Sequence, residues 1–454
     1  MATRAPWHRR EDIEACPFDS SGLDERLLVR LPRGRHLQLS RPVYELLLLL
    51  DGERSSEDVS AALSEKLGRG FTPEQINHLV EKFLLPHGLL AVEDENSAAT
   101  SQKNEPFWLK LPLIQPRVLR PITGLTQYLF TRPALGVTGL LSGLALARFL
   151  LLDAAGDLAA ARGVLSGYDY ALIYLLIIAS MLWHELGHAS ACRRYGCAPG
   201  AIGVAMYLTF PVFYSRVTEV WSLPRRQRAV VDAGGMYFQL ILIDLLALST
   251  LVVPDPPWRV IGTVVIVTVL SMIVVGLNPF LKYDGYWLLA DLTGIANLRH
   301  RENEFRKHLL QSAWAGLRRR PGPAMPPELA NVPTSRRVLL ALYTVISTAF
   351  FLYFGYLLLL AAGILVLSLP QQVYPLLLAA WSDLTSGLWD HALNDLLRIV
   401  MPVIMAIPIL FFVIRLPLQI PGVSHFLRKI RGILVGRWWP RKASPQSASQ
   451  GESA

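Results

Sequence analysis

The chain has 454 residues, of which 52% are hydrophobic and only 17% are charged. Soluble proteins average about a quarter charged residues, so this composition argues against an ordinary soluble globular protein. The 44 Lys and Arg outnumber the 35 Asp and Glu, and long apolar runs follow residue 133. We therefore expect a mainly α-helical, multi-pass membrane protein, with a basic excess whose position needs an explanation.

Residues 1–98 are predicted to form a small soluble α+β domain. Two Leu-rich alternating segments, 27–31 and 36–39, flank the turn-like Pro32-Arg33-Gly34 and predict a β-hairpin. Ser55 before Glu57, and Thr72 before Pro73 and Gln75, are typical of capped helix starts. The remaining elements are three helices and a short strand, at Arg41–Leu50, Glu57–Leu67, Pro73–Leu85 and Leu89–Val92. This order predicts a winged-helix-like fold.

Part of this domain resembles a known peptide-recognition module. The run His36 to Ser40, Tyr44 to Leu50, Asp51-Gly52 and Ser55 to Val59 is similar to the PqqD-type domain. That resemblance implies that the domain holds the leader peptide of a ribosomally made peptide while an enzyme modifies the peptide. A regulatory or assembly role for a winged helix remains an equal alternative.

The rest of the chain is predicted to enter and cross the membrane. Residues 99–133 form a linker followed by an interfacial segment, in which Trp108 and Tyr128 stand among basic residues, as is typical of membrane interfaces. Each apolar run beyond it approaches or exceeds the roughly 20 residues needed to cross a hydrocarbon core of about 30 Å. The predicted domain 134–417 contains six spans, at 134–152, 169–190, 229–253, 258–277, 338–368 and 396–417.

The loops between these spans alternate in charge. Loops 191–228 and 278–337 and the tail 418–454 are basic, whereas segments 153–168 and 369–395 are mainly acidic. Basic loops remain in the cytoplasm, so this pattern predicts that both termini are cytoplasmic. It also explains the basic excess without nucleic acid as a partner, because no basic face with interleaved aromatic residues is recognisable in the soluble domain.

One short motif in the second span carries recognisable chemistry. His184-Glu185-Leu186-Gly187-His188 places two imidazoles one turn apart on a helix face, where both can bind one Zn²⁺. Glu185 then stands where it can act as general base toward a water at the metal. His184 follows Asp169 by about 22 Å of helix, which predicts a site near the cytoplasmic side. The alternative is a pair of interfacial histidines without a metal.

A third metal ligand is predicted after the fourth span. Asp284 follows Asn278-Pro279 and precedes Gly285, at the same cytoplasmic end as the His-Glu motif. Pro279 and Gly285 break helical regularity, which is tolerated at membrane depth where the backbone lines a cavity. A catalytic zinc commonly has three protein ligands, and Asp284 would complete that set.

The order and spacing of these motifs resemble the site-2 protease family of intramembrane zinc metalloproteases, in its peptide zinc metalloprotease branch. The resemblance covers roughly residues 170–300 and implies His184, His188 and Asp284 as zinc ligands and Glu185 as the catalytic general base. Weaker candidates for substrate binding are Asn278, Gly234 and Gly235. For the two glycines, close helix packing is an equally good explanation.

Three functions fit these observations. The leading one is a membrane zinc endopeptidase, a hydrolase that matures a ribosomally made, exported peptide presented by the N-terminal domain. The second is a non-proteolytic, zinc-binding component of a peptide export or efflux assembly. The third is a regulated protease that releases a membrane-tethered transcription factor. The expected partners are the lipid bilayer, a peptide or membrane-protein substrate, and an export adaptor or transporter.

Overall fold

The computed structural model describes residues 7–418, apart from 20–25, 32–34, 92–106, 154–155, 158, 160–163, 208–209, 254, 296 and 331. The chain divides into two compact units, residues 1–348 and 349–454. The first unit contains the N-terminal domain and all the predicted site residues, and it is mainly helical. The predicted metal ligands and the predicted general base therefore belong to one unit.

The N-terminal domain contains more strands than the sequence predicted. Strands β2, β3 and β4 form an antiparallel sheet in that order, and β1 pairs with β5. The predicted hairpin is the pair β3–β4, in which Leu27 lies opposite Leu39, while its turn at 32–34 is outside the described residues. The strands are β1 (His8–Arg9), β2 (Glu14–Pro17), β3 (Arg26–Leu31), β4 (Arg35–Ser40) and β5 (Leu90–Ala91).

Three helices complete this domain, as predicted. They are α1 (Arg41–Leu49), α2 (Ser56–Leu67) and α3 (Pro73–Leu79), and α3 continues as a π-helical turn over Val80–Leu84. Both predicted caps are present as full capping boxes, formed by Ser55 with Asp58 and by Thr72 with Gln75. The apolar faces meet in one core, which includes Val29, Leu39, Leu46, Leu50, Val59, Leu63, Ile76, Val80 and Leu84. Similarity to a PqqD-type domain stays a prediction.

A third sheet joins the interfacial segment to the membrane part. Strand β6 (Phe107–Ile114) is followed by helix α4 (Pro116–Thr126) and a 3₁₀ turn, Gln127–Phe130. The strands of this sheet lie in segments 99–133 and 191–228, which were predicted as a linker with an interfacial segment and as a loop, and the strands themselves were not predicted. The pairing order is β6-β7-β8, with β7 at Ile202–Tyr207 and β8 at Phe210–Ser215.

Five helices of the described residues are long and apolar enough to cross a membrane. They match the first five predicted spans and are α5 (Arg132–Arg148, with its apolar stretch continuing to Leu151), α6 (Gly167–Arg194), α7 (Arg225–Val252), α8 (Pro256–Gly276) and a later helix, Thr334–Thr385. Between α8 and that helix lie α9 (Asp284–Thr293) and α10 (Leu298–Leu317).

The helix that contains the fifth predicted span, 338–368, extends beyond both ends of that span. Helix α11 (Thr334–Thr385) has 52 residues, about 78 Å of helix, and it continues through Pro370 and Pro375. Most of the segment 369–395, which was expected to be an outer loop, is therefore helical. The sixth predicted span, 396–417, lies within α12 (Trp389–Leu418) and stays a prediction as a membrane span.

Candidate metal centre

Helix α6 carries the His-Glu motif in its last third. The helix begins with a capping box in which Ser166 and Asp169 exchange backbone and side-chain hydrogen bonds. His184 and His188 lie one turn apart on the same face, and their rings meet edge to face with centroids 4.7 Å apart. Their Nε2 atoms lie 3.1 Å from each other. The spacing of the motif therefore places both imidazoles at one point.

Asp284 reaches this point from another element. It is the first residue of α9, and its Oδ2 lies 3.0 Å from His184 Nε2 and 3.6 Å from His188 Nε2. One ligand atom from each of the three residues falls within 4.8 Å of the others. The structure thus brings the three predicted ligands together.

The loop before α9 is held in place by local contacts. The Asn278 Oδ1 accepts hydrogen bonds from the backbone N–H groups of Phe280, at 2.8 Å, and Leu281, at 3.3 Å. A side chain at Gly285 would overlap the backbone of Leu277, so the tight return into α9 requires glycine. Asn278 thus shapes the loop that aims Asp284, and its contact with substrate stays a prediction.

The outer nitrogens of both imidazoles have partners on α7. His188 Nδ1 donates to the Val231 carbonyl at 2.7 Å, and His184 Nδ1 lies 3.1 Å from the Oε1 of the buried Gln239. A carbonyl oxygen only accepts, so a neutral His188 carries its proton on Nδ1 and keeps the Nε2 lone pair free. Such partners fix the tautomer and orientation of metal-binding histidines.

Gln239 was not among the residues predicted from the sequence. Its signal was an amide side chain within the apolar third span, a position where polar groups are rare and usually functional. Val231 offered no such signal, because it acts through its backbone carbonyl.

The atoms that converge here suit a divalent cation. When both imidazoles are neutral and donate outward through Nδ1, their two Nε2 lone pairs and a carboxylate oxygen of Asp284 face one another. Two imidazoles and one carboxylate are a ligand set of catalytic zinc sites, which keep a further position open. The residues present therefore fit zinc.

Glu185, the predicted general base, lies beside the three candidate ligand residues. It follows His184 in the helix and is partly exposed. Within the described part of the chain, no hydrogen bond or ion pair engages its side chain. A carboxylate in this state can accept a proton from a bound water.

The two candidate glycines of α7 face helix α6. A side chain at Gly234 would press against the backbone of Gly187, and one at Gly235 would overlap the His184 imidazole. The absence of side chains thus lets the two helices cross in backbone contact and leaves room for His184. Close helix packing, one of the two explanations given above for these glycines, therefore applies to both. A contact of either glycine with substrate stays a prediction.

Comparison with known proteins supports the same chemistry. The chain is 26% identical, over 119 residues, to the protein named "Putative peptide zinc metalloprotease protein YydH" of Bacillus subtilis (strain 168). The matched stretch is 26% of this chain and 46% of that relative, so it spans less than half the length of the relative. No protein-family model matches the chain. No solved structure matches it either.

Proposed function

We propose that this chain is a membrane zinc endopeptidase of the site-2 protease type, with His184, His188 and Asp284 as zinc ligands. The observation that carries the proposal is the convergence of three ligand atoms, two of which belong to imidazoles held by partners on α7. The relative, named for peptide zinc metalloprotease activity, supports the same class of reaction. The five apolar helices support a location in the membrane.

The residues suggest how hydrolysis would proceed. When bound, zinc supplies a Lewis acid that polarises the scissile carbonyl and lowers the pKa of water. The Glu185 carboxylate accepts a proton from the attacking water and returns it to the departing amine nitrogen, which balances the protons of the reaction. Val231 and Gln239 hold the imidazoles in one orientation throughout. Asp284 supplies the negative charge that offsets the cation.

The proposed setting is the cytoplasmic side of the membrane. The basic segments 191–228 and 278–337 support this orientation, with both termini in the cytoplasm. The proposed substrate is a ribosomally made peptide, presented by the N-terminal domain and then passed to an export adaptor or transporter. This part of the proposal is supported by the PqqD-like sequence pattern of residues 36–59.

Cleavage of a co-expressed precursor peptide tests the function. The chain, wild type or Glu185→Gln, is co-expressed in membranes with a candidate precursor peptide chosen from open reading frames near its gene, and the products are identified by mass spectrometry. We expect a defined cleavage with the wild type and loss of it, by at least about a hundredfold, when the general base is removed. Equal processing by both would contradict the protease proposal.

The other outcomes distinguish the two alternatives. Zinc binding without cleavage of any peptide or membrane protein would favour a non-proteolytic component of an export assembly. Cleavage of a single-span membrane protein in place of the precursor peptide would favour release of a membrane-tethered transcription factor.

A further inference from the structure

A second polar cluster lies at the start of α7, where three parts of the chain meet around Arg228. The Arg228 side chain is only 3% exposed. Its Nε lies 2.9 Å from both carboxylate oxygens of Asp291, and its Nη2 lies 2.7 Å from one of them. The remaining donors reach the backbone carbonyls of Leu223 and Asp19, each at 2.9 Å. All three nitrogens of this guanidinium thus have acceptors.

The contact with Asp19 comes from the N-terminal domain. The ring of Phe18, its neighbour, lies under the Arg228 guanidinium, with 4.6 Å between Cζ and the ring centroid. The Asp19 carboxylate accepts a hydrogen bond from the backbone N–H of Arg225 at 3.1 Å. The N-terminal domain therefore touches the first turn of α7 through two adjacent residues.

The same arginine links the two helices that build the metal centre. Arg228 precedes, by three residues, Val231, whose carbonyl holds His188. Asp291 follows Asp284 on α9 by two helical turns, or about 10 Å. Since helices α7 and α9 pack against each other, the Arg228–Asp291 pair fixes the position of the carboxylate helix relative to the helix that orients the imidazoles.

The carboxyl groups around the Arg228–Asp291 pair limit which side chains can replace Arg228. The half-buried side chain of Asp232, one turn beyond Arg228, interacts electrostatically with Asp291, and one of its buried oxygens has no hydrogen-bond partner in the described part of the chain. Without the guanidinium, two neighbouring carboxyl groups would lose the cation between them. Bidentate Arg–carboxylate pairs also impose a fixed relative orientation, which a lysine cannot reproduce.

We propose that Arg228 is a positioning residue for the metal centre, and that Phe18 and Asp19 complete its surroundings. The N-terminal domain then acts on the geometry of the Asp284 carboxylate from within the same chain. This inference rests on the proposed zinc site.

Metal binding by the full-length protein in detergent tests this inference. Wild type, Arg228→Lys and Phe18→Ala are compared for zinc affinity, by competition with a chelator, and for the visible spectrum of bound Co²⁺. We expect Arg228→Lys to weaken zinc binding about 10- to 100-fold and to alter the Co²⁺ spectrum. Phe18→Ala is expected to weaken zinc binding a few-fold. Arg30→Ala is the matched control, since Arg30 joins the same interface through an exposed pair with Glu219.

The possible results separate the inference from the proposed function. Unchanged zinc affinity and Co²⁺ spectra in folded Arg228→Lys and Phe18→Ala would overturn the positioning role. If Arg228→Lys does not fold, the zinc affinity and Co²⁺ spectrum of Phe18→Ala alone decide whether the positioning role holds. If Arg30→Ala weakens zinc binding as much as Phe18→Ala does, the positioning role is also overturned. Loss of any contact at this interface would then be enough to weaken zinc binding. A wild type that binds no zinc would instead refute the proposed metal site.

Discussion

His188 shows, at the scale of one residue, how a side chain is prepared for a metal. Its Nδ1 donates to the Val231 carbonyl, and its Nε2 faces Asp284 and His184. The same division of roles holds for His184, whose outer partner is Gln239. The motif in the sequence identifies the two rings, but only the packing of α7 shows which nitrogen of each ring is free.

Gln239→Leu tests this division of roles. Leucine is similar in volume but offers no acceptor to His184, so we expect zinc affinity to fall about 10- to 100-fold while the protein remains folded. Zinc affinity is measured by chelator competition on the purified protein. Ser271→Ala is the control, because Ser271 is exposed on α8 and, among the described residues, hydrogen-bonds only to the backbone of its own helix. A Gln239→Leu protein that binds zinc like the wild type would show that His184 needs no outer partner.

At the scale of helices and strands, the crossing of α6 and α7 determines whether the centre can form. Gly187 and Gly234 place the two backbones in contact, and this brings Val231 and Gln239 within reach of the imidazoles. The sequence placed these glycines in the right helices but left their purpose open. Packing and substrate contact both favour small residues, so composition alone does not separate them.

Gly187→Ala is expected to destabilise the protein by about 1–3 kcal/mol, because the added methyl group would overlap the Gly234 carbonyl. Thermal unfolding of the protein in detergent measures the effect. The matched control is Gly143→Ala in α5, where the described residues leave open space around the added methyl group. Alanine is the better helix former, so this control should be neutral or slightly stabilising. Equal destabilisation by both substitutions would refute the close crossing.

The capping box of α2 allows a test within the N-terminal domain. Ser55→Ala removes the oxygen that accepts from the Asp58 N–H, and we expect it to cost about 1 kcal/mol of local stability. Faster hydrogen exchange of the α2 amides in the full-length protein would report this loss. Glu65→Gln, at an exposed position of the same helix, should leave the exchange unchanged. Unaltered exchange in Ser55→Ala would mean that the cap does not stabilise this helix.

At the scale of the whole molecule, the sequence predicted the long apolar helices better than the short elements between them. Five spans are confirmed as helices of sufficient length and hydropathy, because apolar composition is sufficient to recognise them. Strand β6 was missed, although Leu109, Leu111 and Leu113 alternate along it, because its partner β7 is about 90 residues away. The fifth predicted span ended at residue 368, but the helix continues to Thr385 with Pro370 and Pro375 inside it, although prolines usually end helices.

The metal centre was predictable to the extent that it depends on local spacing. The pattern of His184, Glu185 and His188 requires only one helix, and Asp284 was found from its position after the fourth span. Arg228 and Asp291 had no local signal, since they are 63 residues apart and only packing of α7 on α9 joins them.

The orientation of the whole molecule is a further prediction that labelling can test. In intact bacterial cells, a cysteine replacing Ser386 should react with a membrane-impermeant maleimide, whereas one replacing Arg320 should not. Both positions are exposed, and after the cells are opened both should react, which serves as the control. The reverse pattern of labelling would place the basic segments outside and contradict the proposed cytoplasmic site.

The most direct test of the central claim is the zinc content of the purified protein. We predict one zinc ion per chain for the wild type and for Glu185→Gln, because Glu185 is not among the converging ligand atoms. His188→Ala and Asp284→Ala, each purified as a folded protein, should lose most of it. A wild type without zinc, or ligand variants that retain the full amount, would contradict the metal centre on which the proposed function depends.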